Sequence, residues 1–282
     1  MAKLLEGKLV AGKINQDIKI ALRSFKVAPV LASILVGDDP GAVAYVNSQS
    51  KAAQDLGITY KLLQFSHEIS EDKLIDAVIE LNQNSMINGI IVQMPLPARI
   101  NYQRICEFIA PKKDVEGMHP ANIGKLVFGQ ARIVACTANA VMEILNFTGV
   151  NLYGQEVVIV GSSEIIGKPL AMLLLDKFST VTICHVGTTQ AGKLEEHVRG
   201  AQILIVAVGQ AGLIKGEWIK NGAIVIDVGI NRVDGRIVGD VEFAAAQERA
   251  SFITPVPGGV GPLTVSILMR NLTEATKLQQ EN

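Results

Sequence analysis

The chain has 282 residues, 49% of them hydrophobic and 19% charged, and a formal net charge of −1. That length and apolar content suit one large or two ordinary domains and exclude a disordered chain, while the near-zero charge leaves no electrostatic case for nucleic acid or a membrane surface. Three cysteines, Cys106, Cys136 and Cys184, lie far apart without a CxxC pair, which argues against a disulfide framework or a zinc site and fits a reducing, cytoplasmic setting.

Residues 1–10 show no basic-then-apolar signal pattern, and no apolar stretch approaches the ~18 residues that cross a bilayer. Residues 3–26 alternate apolar and polar at helical spacing and are predicted as a helix. Residues 30–36 form a short apolar strand followed by Gly37-Asp38-Asp39-Pro40-Gly41. Asp39 suits the N-cap and Pro40 the first turn of a helix that runs to about Leu56, where Gly57 stops it. Residues 58–65 read as the next strand. Ser70-Glu71-Asp72 opens another helix with acids where the dipole favours them. Residues 89–94 are a buried strand closed by Pro95 and Pro97. The alternation predicts a parallel sheet with helices on both faces.

The pattern fades near Asn139, and residues 140–148 read as a connecting helix. New apolar runs follow at 157–160, 181–184, 203–208 and 223–228, spaced to leave room for helices. Such runs are expected of parallel strands buried on both faces, so this half is predicted as a doubly wound, Rossmann-like domain. The last helix, about 263–279, is amphipathic. Packed back on the first set, it divides the α/β chain into 1–138 plus 262–282 and 139–261. No internal repeat is present.

Chemistry gathers in five segments. The first, Gly161-Ser162-Ser163-Glu164-Ile165-Ile166-Gly167-Lys168-Pro169, follows a buried strand. A glycine there lets backbone N–H groups approach a phosphate at a helix N-terminus. The glycines are six apart, so this is not G-x-G-x-x-G, and a structural turn is the alternative. Gly209 with Gly212, and Asp227-Val228-Gly229-Ile230-Asn231, follow two later strands. Glycine turns at successive strand ends mark the edge where such sheets bind ligands. The second segment, Thr254-Pro255-Val256-Pro257-Gly258-Gly259-Val260-Gly261-Pro262-Leu263-Thr264, fixes an irregular path, either a hinge or a rigid wall for a flat ligand. The third is Tyr45 with Gln49, four apart on one helix face. A tyrosine there is ordinarily core. The fourth is Gln93 at the C-terminal end of its strand, pointing at a cleft or capping a loop. The fifth is Asp114-Val115-Glu116-Gly117-Met118-His119-Pro120, a solvated turn or a pair of acids without enough further ligands for a metal. His119, His185 and His197 are scattered and read as structural, and His67 as a surface residue.

Together these segments resemble, in order and over nearly the whole chain, the methylenetetrahydrofolate dehydrogenase/methenyltetrahydrofolate cyclohydrolase family, usually bifunctional. The run from Pro257 to Pro262 and the Gln93 strand are the most specific marks. The resemblance implies a tetrahydrofolate-binding catalytic domain, an NAD(P)-binding domain, a cleft between them and a homodimer paired through the nucleotide domain. It implies that Tyr45 stacks on the folate rings, that Gln93 orients the reacting centre, and that Glu116 holds the pterin through its amino and ring N–H donors. Pro257, Gly258, Gly259, Val260, Gly261 and Pro262 would border both ligands. Gly161, Ser162, Ser163 and Ile230 would contact the dinucleotide, with Val186 and Gly209 in the same set.

Three departures matter. The family's Tyr-x-x-x-Lys is completed here by Gln49, and Lys51 points about 200° away around the helix. The acid after Asp114-Val115 is Glu116 instead of Asp, longer by roughly 1.5 Å. The usual Cys-Thr-Pro-Lys-Gly is Cys136-Thr137-Ala138-Asn139-Ala140. Hydride transfer from the methylene carbon requires no side chain to take a proton; it needs proximity and orientation. Hydrolysis of the methenyl cation does require proton movement, and a missing acid–base group typically costs ~10²–10⁴ in rate. Gln49 does not titrate. The expectation is a dehydrogenase in one-carbon metabolism with little or no cyclohydrolase.

For the cofactor, Val186 offers nothing to the 2′-phosphate of NADP, and no acid ends the strand at 181–184 to hold a ribose diol, so the reading is NAD or NADP with a lean to NAD. The competing readings are a fully bifunctional enzyme with another group or a water in the lysine's role, an amino-acid-type dehydrogenase, and a nucleotide-binding pseudoenzyme. The second lacks its lysine base and carboxylate site. Retention of Tyr45, Gln93, Glu116 and the Pro-Gly run weighs against the third.

Overall fold

A computed structural model describes residues 1–281. In chain order its elements are β1 (Lys3–Leu4), α1 (Gly7–Leu22), β2 (Val30–Val36), α2 (Pro40–Leu56), β3 (Thr59–Phe65), α3 (Glu71–Gln83), β4 (Gly89–Val92), α4 (Tyr102–Phe108), α5 (Pro120–Val127), α6 (Cys136–Thr148) and β5 (Glu156–Val160). These are followed by α7 (Gly167–Leu175), β6 (Thr180–Cys184), α8 (Val186–Gln190), α9 (Leu194–Gly200), β7 (Ile203–Val206), β8 (Ile224–Asp227), β9 (Asn231–Val233), β10 (Arg236–Val238), α10 (Phe243–Arg249), β11 (Phe252–Ile253) and α11 (Val260–Gln280). The chain divides into two compact units. One holds Lys13–Cys136 and the residues from Val265 onward; the other holds Met1–Gly12 and Thr137–Thr264.

The first unit is built on a parallel sheet of order β3-β2-β4. Period-2 alternation sends Ala32, Ile34 and Val36 of β2 into a core with Leu74, Val78 and Leu81 of α3 and Ile105 of α4. Leu35 goes to the opposite face, against Ala42 and Val46 of α2. The start of α2 is fixed by Asp39, whose carboxylate accepts the N–H groups of Gly41 and Ala42, each at 2.9 Å, a cap worth about 1 kcal/mol. Gly57 ends the helix in the left-handed conformation (φ +79°). Lys113 is buried, and its ammonium donates to the carbonyls of Leu81, Asn82 and Asn84 at the C-terminal end of α3, where the helix dipole favours a cation.

The second unit carries a six-stranded parallel sheet of order β1-β11-β8-β7-β5-β6. β7 and β8 are buried along their whole length, as their unbroken apolar runs predict.

The expected helix over 3–26 is shorter, and its first residues are strand. β1 pairs in parallel with β11, and Ala2 and Leu5 donate to the carbonyls of Gln247 and Ile253. By contacts, Met1–Gly12 group with the six-stranded unit, whereas the expected division begins the first domain at residue 1. A two-residue strand has no periodicity of its own, so only its distant partner reveals it. The connecting helix begins at Cys136, earlier than the expected 140. The strands expected over 203–208 and 223–228 end at Val206 and Asp227, where the chain leaves the sheet for its loops. The hairpin β9–β10 turns through Asp234 (φ +48°) and Gly235 (φ +77°), an Asp-Gly turn of the type that matches strand twist.

Candidate functional site

Strand alternation assembles the polar centre of the three-stranded unit. Ser33 shares the face of Leu31 and Leu35, and the register Leu31↔Tyr60 and Ser33↔Ile91 brings Tyr60 and Gln93 to the same side. This is the side covered by α2, from which Tyr45 and Gln49 project one turn apart. Gln49 is fully buried and Gln93 nearly so. Gln49 Oε1 accepts from the Tyr60 hydroxyl at 2.9 Å and from Gln93 Nε2 at 2.8 Å. Gln93 Nε2 spends its other proton on Ser33 Oγ at 2.9 Å, and Gln49 Nε2 reaches Gln93 Oε1 at 3.4 Å. Both lone-pair positions of the Gln49 oxygen and both protons of the Gln93 nitrogen are therefore used. Burial raises the Tyr45 phenol well above its ordinary range and pushes Tyr60 up to about 12, so both stay protonated at neutral pH.

Glu116 lies on a loop fixed by its neighbour. Asp114 is buried and accepts the N–H groups of Gly117 and His119 and the amide of Asn122, all at 2.8–2.9 Å. It is a turn-organising carboxylate, which corrects the solvated-turn alternative. Gly117 takes φ +77° and would drive a Cβ into the Val134 and Ala135 backbone. The Tyr102 hydroxyl donates to Glu116 Oε2 at 2.9 Å. Burial pushes the Glu116 carboxyl up to about 7 against that hydrogen bond, with Asp114 adding to the rise. Cys136, its thiol also raised by burial, contacts the Val115 carbonyl and Asn271. Among the described residues, no cluster of three or more His, Cys, Asp or Glu stands ready to hold a metal ion.

The glycine loops stand at the C-terminal ends of β5, β7 and β8. Gly161 has φ +128°, and a Cβ there would overlap the Ala207 carbonyl; a Cβ on Gly167 would overlap the Gly161 carbonyl. The turn closes only without side chains. Ile166, at the N-cap of α7, makes no side-chain cap; Ser163 closes the turn instead, its hydroxyl accepting the Ile166 N–H at 3.2 Å and its carbonyl the Lys168 N–H at 3.0 Å, and Pro169 has no N–H to satisfy. Ser162 and Ser163 are half-buried in the same turn, and Gly209, Val186 and Ile230 are exposed at neighbouring strand ends. A tight glycine turn at the end of β5, with exposed apolar residues at neighbouring strand ends, lies on the edge where a parallel sheet of this kind offers a ligand close approach to its backbone. Asp240 shapes the second loop, accepting the N–H groups of Val208, Gly209 and Gln210 at 2.7, 3.0 and 2.8 Å and the Asn231 amide at 2.8 Å.

The Pro-Gly run belongs to this six-stranded unit. Thr254 anchors it, its hydroxyl accepting the Asp227 N–H at 2.8 Å. Gly258 (φ +107°) follows, and the Gly259 N–H bonds the Pro255 carbonyl at 2.8 Å. Gly7 packs so tightly that a Cβ on it would meet the Gly259 carbonyl. Pro257, Gly258, Gly261 and Pro262 are exposed, while Gly259 and Val260 are buried.

Within the first unit the structure joins Tyr45, Gln49 and Gln93 in one network, with Glu116 close enough to perturb Tyr45 electrostatically. Sequence reasoning missed Ser33, Tyr60, Tyr102 and Asp240. Alternation from the Gln93 strand marks Ser33 and Tyr60 once the register is known. Tyr102 and Asp240 carry no local signal, because their partners come from other elements.

Residues 5–116 match the model of the tetrahydrofolate dehydrogenase/cyclohydrolase catalytic domain, and residues 135–280 that of the NAD(P)-binding domain. Bifunctional protein FolD 2 of Geobacter sulfurreducens is 47% identical over 282 residues, covering 99% of this chain and 98% of its own. The crystal structure of bifunctional FolD, a methylenetetrahydrofolate dehydrogenase/cyclohydrolase from Campylobacter jejuni, superposes with a TM-score of 0.95 at 39% identity, covering 99% of this chain and 100% of that one. The Trypanosoma brucei dehydrogenase-cyclohydrolase, complexed with NADP cofactor and inhibitor, gives 0.94 at 38% identity, covering 100% and 99%. Matched along both halves at this identity and coverage, the chain belongs to the tetrahydrofolate dehydrogenase/cyclohydrolase family.

Proposed function

We propose that the protein is an NAD(P)-dependent methylenetetrahydrofolate dehydrogenase whose cyclohydrolase step is weak or absent. The observation that carries this reading is Gln49, fully buried and hydrogen-bonded through its amide oxygen to Tyr60 and Gln93. An amide so held neither takes nor gives a proton. A nicotinamide cofactor, when bound, would provide the hydride acceptor. The chain's own residues bind and orient: Tyr45 as a flat, protonated partner for the folate rings, and Glu116 as acceptor for the pterin's N–H donors. The Gln93 oxygen presents partial negative charge to the cationic product. Gly161, Ser162, Ser163, Val186, Gly209 and Ile230 are the cofactor set, and Pro257 to Pro262 border the ligands. Exposed Val186 and the absence of a cation among these residues favour NAD over NADP. The homodimer through the nucleotide-binding unit is carried by the family resemblance and is read by sedimentation.

A fully bifunctional enzyme is the second reading, favoured by Glu116, whose carboxyl at about 7 titrates where a proton carrier should. One experiment separates them. The enzyme is given methylenetetrahydrofolate with NAD or NADP in separate runs, and reduced nicotinamide and methenyl product are followed together. Methenyl accumulating mole for mole with reduced cofactor, beyond its spontaneous hydrolysis, supports the dehydrogenase alone. Reduced cofactor with methenyl near zero shows an intact cyclohydrolase. A much lower KM for NADP overturns the NAD preference.

A further inference from the structure

Glu116 carries one methylene more than an aspartate would, which adds a torsion between its carboxylate and the backbone. The backbone end is held by Asp114. The carboxylate end is held by the Tyr102 hydroxyl, at 2.9 Å from Oε2. Tyr102 is in turn fixed independently of that loop. It opens α4 behind Asn101, whose side chain caps the Arg104 N–H. Glu71 of α3 grips the same turn, accepting the Asn101 N–H at 2.6 Å and Arg104 Nη1 at 2.8 Å. The Tyr102 ring packs against the core shared by α3, α4 and the sheet.

We infer that Tyr102 is a positioning residue for substrate recognition, aiming the Glu116 carboxylate at a ligand that offers an amino group beside a ring N–H. This rests on the reading of Glu116 as the acid that holds the pterin. Each carboxylate oxygen accepts along two directions. Tyr102 takes one on Oε2, which leaves one there and two on Oε1, enough for a fork of two N–H donors. The hydroxyl removes the rotamer freedom that ligand binding would otherwise have to freeze. The groups that face Glu116 are Tyr45 from α2, Tyr102 and Cys106 from α4, Asp114 from its own loop, and Cys136 from α6. None of these is a cation, and the Tyr102 bond favours the carboxylate form.

The test is Tyr102→Phe in the full chain, with Glu116→Gln, Glu116→Asp and the double variant Glu116→Asp/Tyr102→Phe alongside. KM for methylenetetrahydrofolate, kcat, cofactor KM and Tm are read across pH. Tyr102→Phe is expected to raise folate KM roughly 3–30-fold, the loss falling on KM rather than kcat, and to move the acid limb of kcat/KM to higher pH. In the Glu116→Asp background the shorter side chain no longer reaches the hydroxyl, so Tyr102→Phe adds little. Unchanged KM and pH limb in Tyr102→Phe, while Glu116→Gln loses folate affinity, overturns the inference and leaves the Glu116 reading standing. Equal damage in the aspartate background, or a joint fall in Tm, kcat and cofactor affinity, also overturns it. Full folate affinity in Glu116→Gln removes the Glu116 reading and the inference with it.

Discussion

Replacing Gln49 with lysine introduces a titrating group at one defined point. The side chain occupies a fully buried slot where its amide oxygen accepts from Tyr60 and Gln93. An ammonium accepts nothing. Tyr60 can rotate its hydroxyl to accept, but Gln93 has to turn its amide over, which disturbs its bond to Ser33 Oγ. One buried donor left without a partner costs about 1–3 kcal/mol, so the variant stays folded with a lowered Tm. Burial also depresses the lysine's pKa, the direction a proton carrier at neutral pH requires. Methenyl hydrolysis should rise by ~10²–10⁴ over the parent. Where the ammonium is charged, it repels a cationic product ~5 Å away by about 3 kcal/mol at an effective dielectric constant near 20, so dehydrogenase turnover should fall most at low pH. Loss of methenyl absorbance and gain of reduced nicotinamide are followed on the same sample, with Gln49→Met as the non-titrating control. A folded Gln49→Lys enzyme that hydrolyses methenyl no faster than the parent refutes the argument. So does a parent enzyme whose hydrolysis already keeps pace with hydride transfer.

Other outcomes follow from the same geometry. Glu116 and Asp227 are raised to about 7 and about 6 from ordinary values of 4.5 and 3.8, each chiefly by burial. The folded state therefore holds their protons more tightly than the unfolded chain. That contribution is fully present below the unfolded values and is lost as pH rises through 6 to 7, a few kcal/mol in all. Tm should fall between pH 5 and 8, and Glu116→Gln should flatten the part near 7; a Tm that climbs over that range contradicts this. Asp240→Ala strips the acceptor from the N–H groups of Val208, Gly209 and Gln210, at about 1–3 kcal/mol for each one left buried. Cofactor KM should rise with folate KM unaffected, and an unchanged cofactor KM would separate this loop from nucleotide binding. Gly161→Ala forces a Cβ toward the Ala207 carbonyl at φ +128°. Tm and cofactor affinity should both drop, and calorimetry showing normal cofactor binding would remove the turn from the cofactor site.

Much of the site was legible locally. Asp39-Pro40 and Gly57 bracket α2 because a cap and a left-handed stop are short-range chemistry, and that bracket places Tyr45 and Gln49 one turn apart. The apolar runs of β5, β7 and β8 announce buried parallel strands, and glycines follow where they end. Gln93 stood out as a polar residue ending an apolar strand. Gln49, four residues after Tyr45, and Glu116, two after Asp114, are visible in the sequence as single letters.

What those letters do was decided elsewhere. β1 is strand only because β11, far along the chain, offers it an edge. Tyr60 reaches Gln49 only because the register of β3 on β2 sets its height. Tyr102 meets Glu116 because Glu71 ties α4 to α3, and Asp240 gathers a loop thirty residues away. Periodicity, caps and turns are fixed by neighbours a few residues apart, so the sequence by itself determined the longer helices, the apolar parallel strands of both units and the polar residues at the strand ends. Hydrogen-bond partners of buried side chains come from distant segments whose approach depends on the packing of the whole unit, so only the tertiary structure decided that Gln49 is held as an amide by two donors and that Glu116 is aimed by a tyrosine.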